Sequence, residues 1–94
     1  MLKIKYHTQF KKDYKAALRC GYNREDFIRI ITLLANQKPL PQKYKDHQLT
    51  NSKYYNNMRE CHIKPDLLLI YKIENDTLCL LLIRTGSHSK LFKK

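Results

Sequence analysis

The spacing of apolar residues predicts one strand and two short helices in the first third of the chain. Residues 2–6 (LKIKY) alternate apolar and charged side chains with a period of two, which is typical of a strand. Apolar positions then recur at helical spacing in two further segments. The first stripe is Phe10, Tyr14, Ala17 and Leu18, and the second is Phe27, Ile30, Ile31 and Leu34.

Capping residues indicate where the two helices begin and end. Thr8 and Asn23 precede the two stripes, and each carries a side-chain oxygen that can cap a helix N-terminus. Glu25 and Asp26 fall in the first turn of the second helix, where they favour the helix dipole. Gly21 is suited to end the first helix. We therefore expect a helical hairpin packed against a sheet.

The rest of the chain predicts a long loop and three more strands. Residues 37–57 are polar and contain two prolines at their start, and so long a loop in a small domain is more often functional than idle. Residues 58–63, 66–73 and 78–84 follow as strands. The last two are apolar on both faces, as central strands are, and residues 74–77 join them as a hairpin.

The element order β-α-α-β-β-β predicts an α+β fold. We expect a single domain over residues 1–94, with a mostly antiparallel four-stranded sheet, a helical hairpin on one face and a short C-terminal helical turn. With 94 residues, the chain is too short for two separate cores. No segment has the length and apolarity of a membrane span or a signal peptide, so a cytosolic location is the default expectation.

The charge of the chain indicates a polyanionic or acidic partner. Nineteen Lys and Arg residues against eight Asp and Glu residues give a formal net charge of +11. Nucleic acid is the leading candidate and an acidic protein the next. A membrane surface is less favoured, because the basic residues are spread along the chain rather than gathered on one amphipathic helix.

The three cysteines favour free thiols over a disulfide framework or a zinc site. Cys20, Cys61 and Cys79 are odd in number and have no C-x-x-C spacing. Cys61 is followed by His62, but adjacent residues of a strand point to opposite faces, so the two are not expected to grip one metal ion.

The central hairpin is expected to bring four ionisable residues to one end of the sheet. Pairing outward from a two-residue tip at residues 75–76 puts Arg84 opposite Leu67 and beside Asp66. His62 precedes Asp66 by four residues, and His88 follows Arg84 by four. A one-residue slip would move Arg84 to the other face.

These four side chains suit the cleavage of a phosphodiester. Arginine is a multidentate ligand for phosphate, and histidine and carboxylate side chains can remove and donate protons. Three of them have a simpler interpretation as well, whereas His88 in its Gly-Ser loop is harder to explain by packing. Arg84 and Asp66 could form a strand-end salt bridge, Asp66 could start a turn, and His62 could be a partly buried strand residue.

The long loop and the C-terminus add candidate substrate contacts. His47 in YKDHQL (residues 44–49) could contribute a proton-transfer or phosphate contact, or could bridge within the loop. Tyr44, Lys45 and Lys53 resemble the basic and aromatic residues that hold RNA, although charged runs are usually solvated faces. Phe92 could stack on a nucleotide or cover the core.

Three segments together resemble a known toxin family. YKDHQL, RECHIKPDLLLIYKI and RTGSHSKLF are similar in order and spacing to the YafQ branch of the RelE/ParE superfamily of bacterial toxins. The similarity covers nearly the whole chain. Each segment alone would be a weak signal, whereas the three in this order are specific.

The resemblance implies a RelE-like fold and the toxin of a type II toxin–antitoxin pair. Such a toxin is a metal-independent ribonuclease, without a cofactor, that cuts mRNA on the ribosome and is neutralised by an acidic antitoxin. By position, the functional residues of the family fall on His47, His62, Asp66, Arg84, His88 and Phe92. One departure is Leu67, where the best-known member of the branch has a tryptophan after the aspartate, so an aromatic stacking surface is expected to be missing there.

The residues and the resemblance agree on a mechanism. Without metal, RNA can be cleaved by attack of its own 2′-OH, which leaves a 2′,3′-cyclic phosphate (or 3′-phosphate) and a 5′-OH. We expect His88 to act as the acid, His62 or Asp66 as the base, and Arg84 to stabilise the phosphorane. His47 would assist proton transfer or bind phosphate.

Two other classes of function remain open from the sequence. One is a non-catalytic protein of the same fold, either a ParE-like toxin that binds DNA gyrase or a plain RNA-binding module. Binding alone needs cations and aromatics and makes little use of three histidines and Asp66, which argues against it. The other is a small metal-binding regulator, which would retain zinc on purification.

Overall fold

The computed structural model describes residues 1–50 and 55–92 and has the predicted α+β architecture. Its elements are β1 (Lys3–Tyr6), α1 (Thr8–Arg19), α2 (Arg24–Ala35), a 3-10 turn (Gln42–Tyr44), β2 (His47–Gln48), β3 (Arg59–Lys64), β4 (Leu67–Glu74), β5 (Cys79–Gly86) and α3 (His88–Leu91). The helical hairpin and the C-terminal helical turn are both confirmed. Lys53, a predicted RNA contact, lies outside the described residues.

The sheet has the strand order β1-β5-β4-β3-β2 and is mostly antiparallel, as predicted. Among the strands of residues 1–50 and 55–92, only β1 and β5 pair in parallel. Four of the strands match the expected ones, and the fifth, β2, lies within the long polar loop. It pairs His47 with Glu60 and Gln48 with Arg59. A strand of two exposed residues has no alternation to reveal it, so the pattern could not predict it.

The helix ends follow the predicted caps with one exception. The Asn23 side chain accepts a hydrogen bond from the Glu25 N–H at 2.9 Å. Gly21 has a φ of +96°, the conformation that glycine adopts without a steric cost. The prediction for Thr8 is wrong, because Thr8 is already helical and His7 occupies the cap position without a side-chain bond.

Both faces of the central strands are buried. One face packs against the helices through residues such as Phe10, Phe27 and Leu82. The opposite face has a smaller apolar cluster, formed by Tyr55, Leu68, Ile70, Ile83 and Leu91. Burial on both sides explains why β4 and β5 consist of nearly continuous apolar residues.

The predicted register of the β4–β5 hairpin is wrong by three residues. The turn has four residues, 75–78, instead of a two-residue tip, and this moves the partner of Arg84 by two positions. A bulge at Ile83 adds the third, because Leu82 pairs with Tyr71 whereas Arg84 pairs with Ile70. Arg84 therefore lies opposite Ile70 and not opposite Leu67.

The cysteines are free thiols, as expected, with Cys61 and Cys79 buried and Cys20 exposed. Cys61 pairs with Leu69 on the helix-packed side, whereas His62 pairs with Leu68 of the opposite cluster, so the two neighbours do lie on different faces. Burial, the largest cause, raises the pKa of the Cys61 thiol. Within the described ranges, no helix has both the length and the apolarity to cross a membrane.

Candidate active site

Four strands align His47, Glu60, Ile70 and Arg84 in one row across the sheet. His47 pairs with Glu60, Glu60 with Ile70, and Ile70 with Arg84. Directly opposed residues of antiparallel strands share a face. The row therefore places His47, Glu60 and Arg84 at positions of the face that lacks the helical hairpin.

Glu60 connects the two predicted histidines of this face. Its Oε1 lies 3.3 Å from Nε2 of His62 and 3.7 Å from Nε2 of His47. The Glu60 side chain is 7% exposed, whereas that of His47 is 51% exposed, so the carboxylate is covered and the imidazole meets solvent. The sequence analysis did not single out Glu60. The clue available in the sequence was an acidic residue inside the predicted strand 58–63.

The backbone before β2 orients His47. Nδ1 of His47 lies 2.7 Å from the carbonyl oxygen of Lys45, so Nε2 is the nitrogen that faces Glu60. Lys45 has a φ of +49°, a left-handed conformation that turns the chain into β2. The YKDH segment is thus a tight turn that presents the imidazole.

Asp46 anchors this turn to the sheet. Its carboxylate accepts hydrogen bonds from Nη2 of Arg59 at 3.2 Å and from the Tyr71 hydroxyl. Burial and, next, the bond to Asp46 raise the pKa of Tyr71, so its hydroxyl stays protonated as a donor. Asp46 is therefore a structural residue of the motif.

Arg84 is held by Asp13 of α1 and not by Asp66, as the sequence suggested. Nε and Nη2 of Arg84 lie 2.7 and 3.2 Å from the two carboxylate oxygens of Asp13. The Thr85 N–H donates to the same carboxylate at 3.2 Å, and Nζ of Lys90 lies 3.3 Å from it. Asp13 is only 2% exposed, so this is a buried anchor for the arginine.

The charge state of Asp13 follows from these contacts. Burial by itself would raise its pKa, but the hydrogen bonds from Arg84, Gln9 and the Thr85 N–H outweigh it and lower the pKa from its ordinary value. The bond to Asp13 is likewise the largest cause that raises the pKa of Arg84. Sequence reasoning missed Asp13, although an acid three residues after Phe10 on the buried stripe was a usable signal.

Asp66 lies apart from this cluster of charges. It is exposed in the β3–β4 turn, and its Oδ2 accepts a hydrogen bond from the Tyr22 hydroxyl at 2.7 Å. That bond is the largest cause that raises the pKa of Tyr22. The next residue, Leu67, is buried in the helix-packed core, so it offers no stacking surface.

His88 and Phe92 form a pair at the end of β5. Their rings stack with centroids 4.8 Å apart, and Phe92 meets Tyr55 edge-on at 5.3 Å. Ser87 caps α3 by accepting a hydrogen bond from the Lys90 N–H at 3.2 Å. Phe92 therefore covers the smaller apolar cluster and also supports the exposed imidazole of His88.

A glycine is needed where β5 turns into α3. Gly86 has a φ of +155°, and a Cβ built on it would lie 3.0 Å from Cδ of Lys90. A side chain there would crowd the Lys90 side chain, and residues other than glycine rarely adopt this φ. Steric crowding thus explains why a glycine occupies position 86, between Arg84 and His88.

The structure brings some of the predicted site residues together and separates others. His47 and His62 meet through Glu60, and Arg84 shares their row. His88 lies four residues beyond Arg84, whereas Asp66 belongs to a separate contact. Tyr44 and Lys45 border a basic pocket beside His62. Among residues 1–50 and 55–92, no three His, Cys, Asp or Glu side chains form a group suited to hold a metal ion.

Known proteins are similar to this chain over almost its full length. The family described as the bacterial toxin of the type II toxin–antitoxin system, YafQ, matches residues 2–93. An mRNA interferase toxin YafQ of Escherichia coli B is 40% identical over 90 residues, which cover 95% of this chain and 94% of that protein.

Solved structures extend the similarity to the fold. The crystal structure of a metal-bound toxin from Helicobacter pylori is 42% identical, with a TM-score of 0.90, and the match covers 98% of this chain and all of that one. YafQ in the E. coli DinJ–YafQ complex is 39% identical, with a TM-score of 0.84 and coverage of 98% and 99%. The chain belongs to the YafQ family of toxins of bacterial type II toxin–antitoxin systems.

Proposed function

We propose that this protein is an endoribonuclease toxin that cleaves mRNA and thereby inhibits translation. Two E. coli relatives bear the name mRNA interferase toxin, which supports the substrate class. The observation that carries the proposal is the row of His47, Glu60 and Arg84, with His62 on the same carboxylate. It combines proton-transfer groups with a phosphate ligand, as RNA cleavage requires.

The reaction is transesterification within the RNA strand. A base takes the proton of the 2′-OH, the 2′-oxygen bonds to phosphorus, and the bond from phosphorus to the 5′-oxygen breaks. An acid then protonates that 5′-oxygen. The products are a 2′,3′-cyclic phosphate (or the 3′-phosphate from its hydrolysis) and a 5′-OH end, and no electrons are exchanged.

His62 is the base in this proposal and His88 the acid. The buried Glu60 carboxylate, 3.3 Å from Nε2 of His62, would stabilise the imidazolium that forms when His62 takes the proton. Asp66 is the alternative base, since it is exposed next to β3. His88 is exposed four residues beyond Arg84, and in this proposal it protonates the leaving oxygen.

Arg84 would bind the phosphate and stabilise the phosphorane. A guanidinium has five N–H donors, and the two bonds to Asp13 leave donors for phosphate oxygens. His47 would add a second contact to phosphate or assist proton transfer. Phe92, Tyr44, Lys45 and Lys53 would bind the nucleotides that flank the cleaved bond.

The setting of this activity is the translating ribosome in the cytoplasm. The net charge of +11 suits ribosomal RNA and mRNA as binding partners. The test adds the protein to translating ribosomes that carry a defined mRNA, with and without EDTA, and maps new 5′ ends. EDTA-resistant ends inside the reading frame are expected, and their absence with several messages would favour a toxin that acts by binding.

An acidic antitoxin is the second partner in the proposal. An apolar groove of about 540 Å³ lies between β1 and the two long helices, with Tyr6 and Ile28 half-exposed in it. Lys11, Lys15 and Arg24 border it, so it suits a segment with apolar and acidic side chains. Inhibition by the cognate antitoxin should weaken in an Ile28→Glu variant that still cleaves RNA.

A further inference from the structure

A second basic site lies beside the candidate active site, at the outer end of β3. It is a pocket of about 370 Å³ between α2, the 3-10 turn and β3, a volume in the usual range of roughly 300–1,000 Å³ for ligand pockets. The charged or titratable residues that line it are Arg29, Lys43, Lys45, Lys64, Asp26 and His62. Four cations against one carboxylate leave an excess of three positive charges.

Two of the four cations pair with a carboxylate, and a third, Lys43, lies over the ring of Tyr44 with Nζ 5.1 Å from its centroid. Nζ of Lys64 lies 3.2 Å from Oδ2 of Asp26, and Nη1 of Arg29 lies 3.5 Å from Oδ1. Lys43 and Lys45 are exposed and, within the part of the chain that the structure describes, form no ion pair. The pocket thus has two lysines ready for an anion.

The pocket is physically joined to the site of cleavage. His62 lines it and also contacts Glu60 at 3.3 Å. Lys45 lines it and also accepts the hydrogen bond of His47 through its carbonyl oxygen. An anion in the pocket would therefore lie beside His62 and beside the Lys45 turn that orients His47.

We propose that this pocket is a second phosphate-binding subsite, which holds a backbone phosphate of RNA adjacent to the one that is cleaved. The inference rests on the proposed ribonuclease function and specifies how the strand is held. Arg84 binds the reacting phosphate, whereas Lys43 and Lys45 bind a neighbouring one on the side of His62. Such a contact carries charge but no base recognition, so it positions the strand without selecting its sequence.

The test measures binding separately from cleavage. A 2′-O-methyl RNA oligonucleotide keeps its phosphates but has no attacking hydroxyl, so it cannot be cut. Its affinity is measured by fluorescence anisotropy over a series of salt concentrations. For a single strand, each lost phosphate contact should reduce the slope of log K against log salt by about 0.7, which corresponds to about fivefold weaker binding at 0.1 M salt.

The Lys43→Gln/Lys45→Gln variant should show this smaller slope. The Lys43→Arg/Lys45→Arg variant should keep the wild-type slope, since it keeps the charges. The matched control is Lys3→Gln/Lys5→Gln, because it removes two exposed lysines from β1 at the opposite edge of the sheet. Its effect should be much smaller than that of the pocket variant.

A second arm repeats the measurement with vacant ribosomes to identify the source of the phosphate. A reduced slope on the oligonucleotide assigns the pocket to the message, and a reduction seen only on ribosomes assigns it to ribosomal RNA. Equal slopes for wild type and the Gln variant in both arms would overturn the proposal. The proposal would also fail if the Lys43→Gln/Lys45→Gln variant bound RNA as wild type does but bound the antitoxin more weakly. The pocket would then be a protein-binding site.

Cleavage of an unmodified mRNA is followed in parallel with the same variants. If wild type cleaves the mRNA while wild type and the Gln variant have equal salt slopes for RNA binding, only the pocket proposal fails. If wild type does not cleave but the pocket variant loses slope, the ribonuclease function fails, and the pocket remains an RNA-binding site.

Discussion

Arg84 of β5 and Asp13 of α1 form a bidentate pair, with Nε of the arginine 2.7 Å from the nearer carboxylate oxygen. The two residues are 71 positions apart in the chain. The pairing of β1 with β5 ends at Leu82. Beyond that residue, the Thr85 N–H of β5 donates a hydrogen bond to the Asp13 carboxylate. The pair thus links the first helix to the arginine that we propose to bind phosphate.

Removal of the Asp13 charge should loosen Arg84. Asp13→Asn keeps the shape of the side chain but leaves a partly buried guanidinium with a poorer partner, so the free energy of unfolding should fall by about 1–3 kcal/mol. Urea denaturation measures this change. The matched control is Asp76→Asn in the exposed β4–β5 turn, which should have little effect. Equal stability of the two variants would contradict the role given to Asp13.

The stability of the protein should depend on pH through Asp13. Its pKa is lowered in the folded protein, so the stabilisation is present above the pKa that the residue has in the unfolded chain and is lost as the pH falls through the folded pKa. The difference in unfolding free energy between wild type and Asp13→Asn should therefore shrink in acid. Urea denaturation at several pH values tests this, and a difference that grows below pH 4 would exclude it.

Loss of the His88 imidazole should abolish cleavage without unfolding the protein. His88→Ala removes the proposed acid, and general acid catalysis contributes roughly 10²–10⁴-fold to a rate. Single-turnover cleavage on ribosomes measures the loss, and circular dichroism checks the fold. His7→Ala is the matched control, because His7 is exposed and has no proposed role. If both variants cut at the wild-type rate, another group must protonate the leaving oxygen.

Glu60 should act as a positioning residue for His47 and His62. Glu60→Gln keeps the size of the side chain but removes the charge between the two rings. We expect kcat to fall by roughly 10²-fold, as for a small misplacement of catalytic groups, with RNA affinity nearly unchanged. Measurements of kcat and of Kd for the uncleavable 2′-O-methyl RNA separate the two effects. A loss confined to affinity would show that Glu60 only supports binding.

The base should be identified by comparing His62 and Asp66. His62→Gln is expected to lose cleavage by roughly 10²-fold or more, since His62 shares the Glu60 carboxylate with His47. Asp66→Asn should retain more activity, because its carboxylate accepts a bond from Tyr22 and does not contact Arg84. The reverse order of the two rates would assign the base to Asp66.

The amino-acid pattern predicted those parts of the fold that depend on local spacing. The two helical stripes, the Asn23 cap and the apolar strands β4 and β5 all follow from periodicity and short-range chemistry. The short strand β2 and the four-residue turn at residues 75–78 did not follow from it. Each depends on how separate segments of the chain pair in the sheet, and the residues of the short strand or turn do not by themselves specify that pairing.

The sequence by itself determined which chemical groups the protein has, and the tertiary structure decided which of them work together. Histidines 47, 62 and 88, Arg84 and the excess of positive charge are visible in the sequence as residues suited to RNA. Only the folded chain shows that Arg84 pairs with Asp13 and that Glu60 joins two histidines. The physical reason is register, because a longer turn and the bulge at Ile83 move Arg84 three positions along β4, away from Leu67 and Asp66.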